Sequence, residues 1–194
     1  MLIEATLDVL AEEGISDTSV SRIIARAGVS RGMIHLHFGG KDALMGAAAE
    51  QFAHQYYDEM ERQLSLADGS PEGTILAIIQ ADLGDKLMNK RSVAIWHALR
   101  GAAHSNPTVE KFSDTRDQKL RTLISDCFAA FETDLVGDAR DALVKDATLG
   151  LLALLEGMWT DFMVHPDSFD RNDALRIVCR FLNGLFPDTL NGDA

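Results

Sequence analysis

The chain is poor in several things at once. It has two cysteines, four prolines and a 7% share of aromatic residues. Cys127 and Cys179 lie far apart and form no CxxC pair, which excludes a disulfide scaffold or a zinc ribbon and suits a reducing cytoplasm. Few prolines leave long helices unbroken. No period-2 alternation of any length is present, so no strand is expected, and there is no internal repeat or low-complexity run. The longest apolar run, Ala147 to Leu155, is followed by Glu156 and Asp161. It falls well short of the ~20 residues that cross a bilayer, so no membrane partner is expected. The first residues, Met1-Leu2-Ile3-Glu4, carry neither a basic region nor a cleavage signature. Positive charge is also scarce: 18 basic residues face 30 acidic ones, a net charge of −12. That excludes a general coat for nucleic acid or anionic membrane and leaves only a local basic patch open.

What is present reads as helix. At 194 residues, 46% hydrophobic and 25% charged, the chain can bury a sizeable core. Ile3, Leu7 and Leu10 share a face before a stop at Gly14. Thr18 offers an N-cap to a second short helix with Val20, Ile23, Ile24 and Ala27 on one face, which Gly28 ends. Ser30 offers a cap to a third, whose inward residues are Ile34 and Phe38. A long amphipathic stretch runs from Lys41 to about Leu66, and the clearest linker is 67–72. Further helical patterns cover about 71–83, 89–104, 107–135, 138–164 and 172–186.

Charge is uneven along this series. From Thr18 to Lys41 stand Arg22, Arg26, Arg31 and Lys41 with no acid. A basic island on an acidic chain fits a small nucleic-acid reader, or simply a solvated basic face. Spacing favours the first. A helix, a Gly28-Val29-Ser30 turn and a second helix form a helix-turn-helix, whose second helix presents Arg31, Gly32, Met33, His35, Leu36 and His37 outward. Rival sites fail on spacing. Gly39-Gly40-Lys41 lacks the earlier glycine and the Ser or Thr of a phosphate loop. His35 and His37 stand about 200° apart around a helix, which is poor metal geometry. His97 and His104 share a face without placeable carboxylate partners. No nucleophile, base and acid arrangement is visible, and both cysteines read as structural. No cofactor or metal is expected.

The run from Thr18 to Leu44 resembles the DNA-binding signature of the TetR repressors. The matching features are Thr18, Ala27-Gly28-Val29-Ser30, Gly32, His37-Phe38, and Lys41 with Leu44. The rest of the chain is similar to the family's helical body, and Ile95-Trp96 with Leu154-Leu155-Glu156-Gly157-Met158-Trp159 resembles the BetI-like branch. His35 stands where relatives usually carry a phosphate-touching Tyr. Met33 and Leu36 are apolar where many relatives carry polar or aromatic readers. The recorded start lies inside helix 1, without the basic arm usual in the family, so weaker phosphate anchoring or an incomplete start is expected.

The resemblance implies an all-α fold with a three-helix DNA-binding domain over 1–46 and a helical effector-binding and dimerisation domain over 47–194. It implies a dimeric repressor on a pseudo-palindromic operator in double-stranded DNA, released by a small molecule, choline-like if the branch holds. Expected DNA contacts are Thr18, Arg31, Gly32, Met33, His35, His37 and Lys41. Two helices exceed a single apolar stripe, which fits either a partner or deep burial within the chain; the resemblance favours the partner, and the homodimer interface it implies is Leu151, Leu155, Leu175, Val178, Leu182 and Leu185. Glu156 and Trp159 share a helix face that could meet a cation, or they are a core indole and a solvated acid. Expected effector contacts are Tyr56, Trp96, His97, Glu156, Met158, Trp159 and Phe162, with Tyr57 and Phe112 as further liners. The rival functions are an all-α enzyme and a helical interaction or ligand-binding module without DNA activity.

Overall fold

The structure, a computed structural model, describes residues 1–103, 106–187 and 189–190, and within 111–117 the backbone alone. Phe112 and His104 therefore lie outside the described side chains. Nine helices follow one another among the described residues: α1 (Leu2–Asp17), α2 (Val20–Ala27), α3 (Gly32–Phe38), α4 (Lys41–Leu64), α5 (Pro71–Leu83), α6 (Lys90–Ala103), α7 (Pro107–Ala130), α8 (Asp138–Val164) and α9 (Arg171–Leu185). They form two compact units, Met1–Tyr57 with Asn89–Asp117, and Asp58–Met88 with Gln118–Ala194.

In the first unit, α1 packs against α2 and α6. Ile23, Ile34, Leu44 and Leu2 form a small core on which Val20, Ile24, Val29, Met33 and Phe38 rest. Each such aliphatic side chain contributes about 1.5–3 kcal/mol when fully buried. Gly14 interrupts α1 with φ 72° rather than ending it.

In the second unit, α5, α8 and α9 pack on one another. Ile78, Ile79, Leu151, Val178 and Leu182 are fully buried there. A second cluster joins Phe128, Phe131 and Phe186, with ring centroids 5.0–5.5 Å apart. This explains why α7 stops at Ala130 rather than near Leu135. Phe131 turns into the cluster, while Arg140 of α8 donates to the end carbonyls of Ala129 and Phe131 at 2.8 and 3.3 Å. α8 is also, by length and composition, the one described helix able to cross a bilayer. Its Leu151, Leu155, Trp159 and Phe162 are instead buried within the protein.

Candidate nucleic-acid interface and effector site

The helix-turn-helix is built by local chemistry. Ser19, not Thr18, is the N-cap of α2, its hydroxyl accepting from the Arg22 amide at 3.3 Å. Such a cap contributes about 1 kcal/mol. Gly28 then adopts φ 67°, ψ 31°, the left-handed region open to glycine at little cost, and its amide donates to the Ile24 carbonyl. Val29 repeats that bond at 3.1 Å and packs on the small core. Ser30 gives α3 its carbonyl, which accepts from the Met33 amide at 3.1 Å. Its hydroxyl does not cap α3, which has no side-chain cap.

On α3, Ile34 is buried and Phe38 and Met33 lean on the core. Met33 was expected to face outward. A side chain one residue before Ile34 stands 100° around the helix, close enough to fold back over the apolar face. Gly32, His35, Leu36 and His37 are exposed, as is Arg31 just before the helix. His35 places Nδ1 3.1 Å from the Gly39 carbonyl. A carbonyl only accepts, so Nδ1 carries the hydrogen, and Nε2 accepts in the neutral ring and donates in the protonated one.

Thr18 is 1% exposed. Its hydroxyl donates to the Gly14 carbonyl at 2.7 Å, so it closes the end of α1 instead of facing a phosphate. Its own carbonyl accepts from the half-buried Lys41 ammonium, which ties the start of α4 to the start of α2.

The basic island is smaller in space than in sequence. Arg22 pairs with Glu13 and reaches Asp17 at 4.0 Å. Arg26 grips Glu12 with two guanidinium nitrogens, one at 2.9 Å, and lies 3.8 Å from Asp8. Those hydrogen bonds, and then the charge of Arg26, hold the Glu12 carboxyl below the ordinary carboxylate range. The acids all come from α1. Of the four cations, Arg31 alone has no side-chain ion pair or hydrogen bond among the described residues.

The expected effector contacts divide between the units. Tyr56, Trp96 and His97 belong to the first; Glu156, Met158, Trp159 and Phe162 belong to the second. Tyr56 is buried edge-on to Tyr57 at 5.6 Å. Trp96 is buried with the Arg100 guanidinium 4.9 Å from its ring centre, so a cation already covers one face. The buried Nε2 of His97 has no hydrogen-bond partner among the described residues. Phe162 packs edge-on to Phe169 at 5.5 Å and carries the Arg171 guanidinium at 5.3 Å. Met158 and Glu156 are half-buried. Trp159 is 3% exposed, and its indole N–H donates to the Asp82 carboxylate at 2.9 Å. Asp82 is the one buried acid among the described residues. Sequence reading missed it, although a lone acid between Ile79, Ala81 and Leu83 in an apolar helix was a visible signal.

The expected dimer residues are corrected most. Leu151, Val178 and Leu182 are fully buried and Leu155 is 4% exposed within one chain. Buried already, they offer a partner no surface. Leu175 and Leu185 are half-buried. Exposed apolar positions include Leu149, Ala153 and Gly157 on α8 and Ile177 and Gly184 on α9, beside the half-buried Phe181, with Met163 and Val164 exposed at the end of α8. Gly150 lies so close under the Phe181 ring that any Cβ there would overlap it.

A helix-turn-helix with an exposed second helix, carried on an all-helical chain with an apolar two-helix face, defines a one-component transcriptional regulator. Residues 2–48 match the bacterial regulatory proteins of the tetR family, and residues 71–187 match the BetI-type transcriptional repressor C-terminal domain. The chain belongs to the TetR family of transcriptional regulators, in its BetI-type branch. The HTH-type transcriptional regulator BetI of Pectobacterium carotovorum subsp. carotovorum (strain PC1) is 30% identical over 186 residues, covering 93% of this chain and 90% of that protein. A solved transcriptional regulator from Pseudomonas aeruginosa PAO1 has a TM-score of 0.80 at 27% identity, covering 95% and 88% of the two chains. A transcriptional regulator from Saccharomonospora viridis in complex with choline has a TM-score of 0.76 at 15% identity, over 94% and 93%. Regulators of this family bind operator DNA, typically as dimers, and answer to a small molecule.

Proposed function

We propose that this cytoplasmic repressor reads a pseudo-palindromic operator with one α3 per half-site, residues 1–46 serving DNA and 47–194 serving effector and partner. The observation that carries the reading is Arg31, the cation left without a partner beside the exposed face of α3 while its neighbours Arg22 and Arg26 are taken up by α1. Arg31 reaches a guanine edge or a phosphate, Gly32 lets the backbone approach, and His35, His37 and Lys41 meet phosphates. Thr18 and Met33 position these groups rather than touch DNA. Two copies meet through Leu149, Ala153, Ile177 and Phe181, with Leu175 and Leu185 at the margin.

The effector is a choline-like cation. A buried carboxylate beside an indole is chemistry that stabilises a quaternary ammonium group, which offers no strong hydrogen-bond donor of its own there. The Asp82–Trp159 pair supports this reading, as does the choline complex of the fold neighbour. Release follows if the ligand prefers the conformer whose recognition helices are wrongly spaced for DNA, and a 100-fold loss of DNA affinity needs about 2.7 kcal/mol of preference.

The test is fluorescence anisotropy of the full chain on duplexes selected from a random library, titrated with choline and with its neutral isostere 3,3-dimethylbutanol. Choline alone should release the duplex, and Asp82→Asn should abolish that release. Failure to enrich any duplex ends the regulator reading. Equal release by the neutral isostere ends only the cationic effector.

A further inference from the structure

An apolar side chain stands where the interface should be polar. Leu36 is 75% exposed, the most exposed leucine among the described residues. The core side of α3 is set by Ile34, Phe38 and Met33. At 100° per residue the direction opposite to Ile34 falls between Gly32 and Leu36, one turn apart. These two residues therefore form the ridge of α3 that points straight away from the protein, with His35 beside it. Leu36 belongs to neither the small core nor its rim.

Gly32 gives a second, independent indication. Its φ is not in the left-handed region, and a Cβ built there would meet only the Ser30 hydroxyl at 3.9 Å. Neither backbone conformation nor internal packing asks for glycine at this position. The missing side chain leaves open space outside the protein, on the same ridge as Leu36. A helical side chain leans toward the N-terminus over the preceding turn, so Leu36 lies over the bare backbone of Gly32. The ridge is thus one apolar knob beside a shallow step.

Among the groups on the major-groove floor, the apolar one is the C5 methyl of thymine. We infer that Leu36 reads a thymine methyl in each half-site and that this contact, not a hydrogen bond, sets specificity at that base pair. The inference rests on the operator-binding reading above and adds the chemistry of the base that is read. Because Leu36 cannot hydrogen-bond, it discriminates by apolar contact alone, and a base lacking the methyl is penalised even where its hydrogen-bonding edge is identical.

Replacing thymine by uracil removes the methyl and keeps every donor and acceptor. The full chain is used to enrich duplexes from a random-sequence library, and the enriched duplex is remade with each symmetric pair of thymines changed to deoxyuridine. At one symmetric pair, wild type should lose about fourfold in affinity per half-site, so about fifteenfold for both, the size expected for one methyl leaving an apolar contact. Leu36→Ala should bind the thymine and uracil duplexes equally. Leu36 is exposed, so folding of that variant is not at issue, and its circular dichroism should match wild type. Wild-type indifference to uracil at every position overturns the inference while leaving operator binding intact. So does a Leu36→Ala variant that keeps the wild-type sensitivity. Failure to enrich any duplex overturns this inference and the operator reading together.

Discussion

The α2–α3 element and the α8–α9 pair divide one kind of residue between inside and outside in the same way. In the first, arginines of one short window part company: Arg22 and Arg26 turn to the acids of α1, while Arg31 is left to the solvent side. In the second, leucines and their neighbours do so: Val178 and Leu182 are fully buried, while Ile177 is 43% exposed and Phe181 is half-buried. Residue type says what a side chain can do. Its angle on the helix, and what crosses that helix, decide whom it meets. Function here falls to the members of each set that internal packing leaves over.

The largest effect is expected on α9. Leu182→Asp places a carboxylate in a fully packed site and should cost about 3–5 kcal/mol, a large part of the 5–15 kcal/mol that holds a typical domain. Thermal unfolding followed by circular dichroism should show the loss. Ile177→Asp, five positions earlier and on the outer face, should keep the fold and halve the mass seen by light scattering. If the two variants behave alike, the division into inner and outer faces is wrong.

On the DNA side, Arg31→Ala should weaken binding to the selected duplex by about 1–3 kcal/mol, read by anisotropy at fixed salt, if its contact is bidentate to a guanine. Arg26→Ala should leave affinity near wild type, because Glu12 already holds that guanidinium. The reverse order of effects would put α2, not α3, against the bases.

Much of this was legible in the sequence. Helical periodicity with Gly28, Pro71 and Asp138 as punctuation brings out most helices within a residue or two, because those signals act within one turn of chain. The inward pair Ile34 and Phe38 follows from spacing alone. The caps were misread by one residue at Thr18 because two adjacent hydroxyl residues both suit the role, and only the backbone angles choose Ser19. The tertiary choices were out of reach. A charge count from Thr18 to Lys41 omits Asp8, Glu12, Glu13 and Asp17, which precede the window and return to it only because α1 packs on α2. The leucine set on α8 and α9 failed likewise, since two apolar stripes look alike until one is covered by α5.

Glu12→Gln tests that omission directly. It removes the carboxylate charge and one strong acceptor while keeping the shape of the side chain. Arg26 is then free to find a phosphate, so the salt dependence of DNA binding should steepen by up to about one unit in the slope of log K against log[salt]. Asp8 remains 3.8 Å from Arg26 and should recapture part of that gain. An unchanged slope would mean that Arg26 faces no DNA even when released.

The smallest effect compares this long-range pair with a local one. Glu59 accepts from Arg62 at 2.6 and 2.9 Å, three residues along α4, and from Gln63 at 3.0 Å. The hydrogen bonds of Arg62 first, then those of Gln63, hold its carboxyl down to about 2, from an ordinary 4.5. A carboxyl lowered in the folded state contributes stability above its unfolded value and loses it as pH falls through the folded one. The Glu59 contribution should therefore be complete above about pH 4.5 and fade toward pH 2. Glu12 is lowered as well, through hydrogen bonds from Arg26 that exist only while α1 and α2 are packed. Carboxyl resonances followed by NMR from pH 6 down should keep Glu59 ionised past the point where ordinary glutamates protonate. Loosening α1 from α2 with Ile23→Ala should return Glu12 to ordinary titration and leave Glu59 unmoved, because a pair within one turn of helix needs only that helix. If both glutamates shift together in that variant, the α1–α2 packing and the α4 pair are coupled, and the Glu59 pair is not local to its helix.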